Sequence, residues 1–107
     1  MVKFDLFLMQ DIPHPDYIEM GQLAESHNFE NLWVIDGQDV FPDPWATAAL
    51  CAVNTSRIRI GPGVTNPLTR HPRVTANAMI TIHELSGGRG ILGMGAGDNA
   101  VRTLGMK

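Results

Sequence analysis

Apolar residues recur along this chain in two alternating rhythms, and the switches between them mark out its elements. From Lys3 to Met9 the side chains alternate, with Phe4, Leu6 and Leu8 on one side and Phe7 and Met9 on the other. Few positions there are polar, so this first strand is expected to be covered on both faces, as in a parallel sheet. The period then lengthens. Tyr17, Met20, Gly21 and Ala24 fall on one face of a helix opened by Pro15 and Asp16 and stopped at Asn28. Proline fits the first helical turn, and an acid there meets the positive end of the helix dipole. A second strand covers Leu32 to Asp36, apolar until its final carboxylate.

Asp43 and Pro44 make a cap-and-proline start for a second helix, Trp45 to about Val53. Its sequence, WATAALCAV, has so few polar residues that it must be buried on more than one side. A third strand is predicted over Arg57 to Gly61. A third helix starts near Pro72, presents Val74, Ala78, Ile82 and Leu85 on one face, and stops at Ser86-Gly87-Gly88. A fourth strand covers Gly90 to Gly95, and Asp98 to Lys107 opens another helical stretch. Strand starts near residues 3, 32, 57 and 90 recur at the spacing of successive βαβ units, about 30 residues each. The prediction is a single α/β domain over residues 1–107, built on a parallel sheet.

In such sheets ligands bind beyond the carboxyl ends of the strands. That edge holds Asp36, the loop from Gly61 to Pro67, and the loop from Gly93 to Asp98. Each has a bland alternative. Gly61-Pro62-Gly63 also reads as an ordinary strand-to-helix turn, and Asp36 as a turn-forming aspartate. Asp98 either faces a ligand or caps the following helix. Arg70-His71 reaches an anion or lies in a solvated loop. Gly93-Met94-Gly95-Ala96-Gly97 is not a dinucleotide fingerprint, because Asp98 stands where the third glycine belongs. His14, His27, His71 and His83 have no metal-ligand spacing with one another or with Cys51, which reads as a small core residue. No serine or cysteine sits on a nucleophile elbow.

Composition narrows the partners. With 44% apolar and 18% charged residues the chain is of ordinary globular type. A net charge of -3 gives nucleic acid or an anionic membrane surface nothing to hold. No apolar run approaches the roughly 20 residues of a membrane span. Lys3 and Asp5 interrupt the first apolar stretch, which argues against a signal peptide, and the single cysteine excludes an internal disulfide framework. A cytoplasmic location is expected.

The segments GPGVTNPLTRHP, ELSGGR and GMGAGD, in this order and spacing, resemble the luciferase-like monooxygenase superfamily. Within it they are most similar to the branch that uses the deazaflavin coenzyme F420, typified by methylenetetrahydromethanopterin reductase. The resemblance implies a (β/α)8 barrel in which F420 or FMN exchanges hydride with a small-molecule substrate or activates oxygen. It places a non-prolyl cis peptide between Gly63 and Val64, with the flavin-type ring leaning on it. Asp36 and Asp98 then act as catalytic or ring-contacting carboxylates, and Gly61, Thr65 and Asn66 line the cofactor. Several deazaflavin relatives have histidine after the aspartate; this sequence has Gly37, so only Asp36 carries over. A complete barrel takes about 250 residues, so the resemblance spans the first half of one. Either this chain is an oxidoreductase, as part of a longer enzyme or assembled with its own copy, or it is a non-catalytic half-barrel. Open sheet edges make a homo-oligomer the expected state.

Overall fold

A computed structural model describes residues 1–11 and 13–106. Seven elements follow in the order β1 (Asp5–Leu8), α1 (His14–Ser26), β2 (Asn31–Val34), α2 (Pro44–Val53), β3 (Arg59–Pro62), α3 (Pro72–Leu85) and α4 (Asp98–Leu104). Lys107, at the end of the last predicted helical stretch, lies outside the described residues. The strands form one parallel sheet in sequence order, with Leu6 opposite Leu32 and Leu32 opposite Ile60. The helix starts follow local chemistry: the Asp43 side chain accepts from the Ala46 N–H at 2.8 Å, and proline occupies the first turn of α1, α2 and α3.

One face of the sheet carries the core. Leu8, Leu32, Val34 and Ile60 meet Tyr17 and Ala24 of α1, Ala48, Cys51 and Ala52 of α2, and Ile82 of α3. The apolar α2 is wedged between α1 and α3, which explains why it needs no polar face. Burial pushes the Cys51 thiol up to about 11, so it is a packed sulfhydryl rather than a nucleophile. The buried face of α3 is Thr75 and Ile82 with Ala78 and Met79, rotated by about one position from the predicted stripe; Val74 and Leu85 are exposed. The opposite face of the sheet is open, contrary to the expectation for the first strand: Phe7 of β1 and Met9 just beyond it are exposed, and among the described residues no helix packs on that face.

The fourth predicted strand is a correction of a different kind. Its segment does run parallel beside β3, but only as two isolated bridges, Ile60 with Gly90 and Thr65 with Met94. Two causes interrupt the ladder. Pro62 has no N–H to donate across the gap, so bonding resumes only where Gly93 N–H donates to the Pro62 carbonyl at 2.9 Å. Between the bridges β3 advances five residues while its neighbour advances four, which is a β-bulge.

Glu25 at the end of α1 holds the chain that enters β3, accepting from the N–H groups of Ser56, Arg57 and Ile58. Burial alone raises its carboxyl, but these backbone donors outweigh it and hold the group below its ordinary value. A depressed acid stabilises the fold above its unfolded value, 4.5, and that contribution disappears as pH falls through the folded one. In urea titrations, the wild-type midpoint should therefore drop more steeply below pH about 4.5 than that of Glu25→Gln. Parallel pH profiles for the two proteins would remove Glu25 from this account.

Candidate functional site

The carboxyl ends of β2 and β3, the bulge and the start of α4 surround a hollow of about 340 Å³. Asp36, Val64, Thr65, Asn66 and Asp98 all line it, so five of the seven residues singled out in the sequence converge on one place. Gly61 and Gly63 are buried beneath it rather than at its surface. The peptide between Gly63 and Val64 is cis. Val64 is 53% exposed and projects beside Gly95, whose Cβ position lies 2.9 Å from a Val64 methyl.

Asp36 is the electrostatic centre. Its Oδ2 accepts from the Thr65 hydroxyl at 2.7 Å and its Oδ1 from the Gln38 amide at 2.6 Å. Burial pushes its carboxyl above the ordinary value; the Thr65 bond and Arg70 oppose this, and the nearby Asp43 charge adds to it. A carboxyl so placed can hold a proton more readily than a surface aspartate, a property that suits proton exchange in general. Two adjoining hollows, about 310 and 330 Å³, also share Asp36 and Gln38. One runs toward Trp45, over which the Arg70 guanidinium lies at 5.2 Å; the other runs toward Phe41 and Arg102. Asp36 therefore stands where three recesses meet.

The remaining residues divide by what they touch. Thr65 is 1% exposed and spends its hydroxyl proton on Asp36. Asn66 is buried and its Oδ1 accepts from the Leu68 and Thr69 N–H groups, so this oxygen shapes the turn. Asp98 does not cap α4: the cap position is Gly97, in the left-handed conformation, and no side chain bonds there. Asp98 is left exposed on the rim of the hollow. Gln38, Asn99 and Arg102 also line it and were not anticipated; helical spacing of Asn99 and Arg102 on α4 was the available signal. Among the described residues no three His, Cys, Asp or Glu side chains gather as a metal site, and no helix is long and apolar enough to cross a membrane.

Because burial raises the Asp36 carboxyl, the folded state binds its proton more tightly than the unfolded chain does. Stability is then withheld as pH rises through the ordinary value, 3.8, and the penalty is complete above the folded one. Asp36→Asn should raise stability near neutral pH by about 0.5–1 kcal/mol, a gain of the kind found when a functional group is removed. Urea midpoints of the two proteins should separate as pH increases; an unchanged or lower midpoint for the variant would contradict this.

Comparison with known proteins agrees with this geometry. The 5,10-methylenetetrahydromethanopterin reductase of Methanopyrus kandleri is 40% identical over 99 residues, covering 92% of this chain and 28% of that protein. Its counterpart from Methanolobus tindarius is 43% identical over 80 residues, covering 75% of this chain and 24% of the relative. The solved structure of the coenzyme F420 dependent tetrahydromethanopterin reductase from M. kandleri superposes with a TM-score of 0.91 at 39% identity, covering 97% of this chain and 30% of that one. The oxygenating constituent of 3,6-diketocamphane monooxygenase from Pseudomonas putida, solved with FMN, shares the fold at 19% identity and a TM-score of 0.83, over 33% of its length. The sheet and its helices are thus part of the (β/α)8 barrel that the motifs implied, and the chain spans less than a third of these relatives. Residues 3–106 match the luciferase-like monooxygenase family, and the chain belongs to it.

Proposed function

We propose that this chain carries the ring-binding edge of a deazaflavin- or flavin-dependent oxidoreductase acting on a small-molecule substrate. The observation that carries the reading is the Asp36–Thr65 pair beside the exposed Val64, at the carboxyl ends of β2 and β3. The donor set fits such a group. A flat heterocycle with polar N–H edges needs an apolar surface on one side and an acceptor at its rim. Val64 with the small residues Gly95 to Gly97 supplies the first, and the Asp36 carboxyl supplies the second. When bound, the cofactor supplies the hydride chemistry, while the protein orients it and tunes its charge. Asp36 would hold or release a proton at the ring edge, Thr65 would keep that carboxyl in place, and Asp98 would face the ligand from the rim. Similarity to F420-dependent reductases favours coenzyme F420 over FMN.

A cytoplasmic homo-oligomer fits this reading. Its specific support is the open sheet face, where Phe7 and Met9 are 56% and 53% exposed, a surface that a second copy would cover. The same face favours the second reading, a half-barrel that self-associates without activity of its own. Parallel titrations of the purified chain with F420 and with FMN, followed by cofactor fluorescence, separate the two. Saturable binding that Asp36→Asn weakens by about tenfold or more supports the oxidoreductase reading. A folded protein that binds neither leaves the self-associating half-barrel.

A further inference from the structure

We infer that Trp33 is a positioning residue for the ring-binding loop: its indole is the support against which the Gly63–Thr65 bulge is set. The inference takes from the functional reading above only what the loop binds. Trp33 lies on the open face of β2 and is not among the buried core residues, so its packing has to be accounted for locally.

Its indole crosses the sheet. On one side Nε1 donates to Asp5 Oδ2 at 2.9 Å, and the ring stacks on Phe7 with centroids 6.2 Å apart and planes 21° from parallel. The other oxygen of Asp5 accepts from the Asn31 amide at 2.9 Å, so both ends of that carboxylate are fixed. The Trp33 bond is the chief reason that Asp5 is held below its ordinary value, which keeps it an anionic acceptor. On the other side the indole lies directly against backbone. A Cβ at Gly63 would stand 2.7 Å from Cε3, and one at Gly93 would stand 3.2 Å from Cζ3. A ring anchored by a charge-assisted hydrogen bond at one edge and a stacked neighbour on its face has little freedom to turn. Gly63 is therefore set against a fixed surface, and Val64 beside it is aimed into the hollow.

A tryptophan that only filled space would stabilise the whole sheet equally. A positioning tryptophan protects the loop above it selectively. Amide hydrogen exchange by NMR distinguishes the two, since Gly63 donates to Val34, Thr65 to Gly93 and Gly95 to Thr65, whereas Ile60 donates to Arg89 below the indole. Trp33→Leu should speed exchange at Gly63, Thr65 and Gly95 by about tenfold or more relative to Ile60, and Trp33→Phe should restore part of that protection. Equal acceleration at all four amides, or none, overturns the proposal. Should Trp33→Leu not fold, Asp5→Asn removes the anchoring charge while keeping the ring, and the same comparison decides.

Titrating the same proteins with F420 and FMN keeps the two readings apart. If the wild type binds, Trp33→Leu should weaken binding about tenfold and Trp33→Phe less; undiminished binding by Trp33→Leu overturns the proposal. If the wild type binds neither but exchange is selective, the cofactor reading falls and the positioning role stands.

Discussion

Replacing Gly61 with alanine is expected to leave a chain with no cooperative unfolding transition, or one weakened by about 4 kcal/mol or more. The added Cβ would lie 1.6 Å from the Ile91 carbonyl oxygen and 2.7 Å from its carbon, distances nearer to bonds than to contacts. Relief requires β3 and the Arg89–Gly95 segment to part. That breaks the bonds from Ile91 N–H to Ile60 O at 3.0 Å and from Gly93 N–H to Pro62 O at 2.9 Å. Each is worth about 1 kcal/mol, and uncovering Ile60, which is fully buried, adds about 2 kcal/mol more. β3 cannot retreat the other way, because Gly61 is paired with Trp33 of β2. The total is a large share of the roughly 5–15 kcal/mol by which whole domains are stable. Urea denaturation followed by circular dichroism checks it; a wild-type midpoint would mean that the two backbones are not this close.

Arg89→Met should cost about 3 kcal/mol, because it leaves several part-buried carbonyls without the charged donor they share. The guanidinium makes five hydrogen bonds of 2.6 to 3.0 Å, to the carbonyls of Ser86, Ile58, Ala52 and Thr55 and to the Thr55 hydroxyl. It thereby closes the C-terminal end of α2, the entry to β3 and the end of α3 with a single side chain. Methionine matches the stem but leaves those carbonyls with nothing to accept from. Arg89→Lys should recover only part of the loss, since an ammonium cannot serve acceptors spread around a planar fork. Thermal melts of the three proteins should rank wild type, Lys, Met. If Lys equals wild type, charge rather than geometry is what Arg89 contributes.

Elements whose signal is local were legible in the sequence. Asp43 followed by Pro44 announces a helix start through one side-chain bond and one fixed torsion, and α2 begins there. The nearly continuous apolar run of α2 required burial on two sides because no other arrangement hides it. What depends on two distant backbones was not legible. Pro62 reads as part of a turn, but only its place beside the Arg89–Gly95 segment shows that its missing N–H interrupts a ladder. Arg89 and Glu25 look like surface charges until the carbonyls and N–H groups around them are seen to come from other elements. The site divides in the same way. Asp36 and Asp98 stand out as carboxylates at strand ends, whereas Gln38 follows Asp36 by two residues and has no pattern to announce it.

The extra residue just past β3 turns the site into a matter of counting. Val34 pairs with Pro62, so an uninterrupted register would bring Val64 beside Asp36 and send Thr65 to the opposite face. One additional residue reverses the alternation from that point onward. The threonine hydroxyl then falls on the same side as the carboxylate, and the valine turns toward the hollow. Below the bulge, β3 obeys the core; above it, the chain obeys the ligand edge, and the two phases meet without compromise. Deleting Pro62 or Gly63 would preserve every side chain that lines the hollow while exchanging which of them Asp36 can reach.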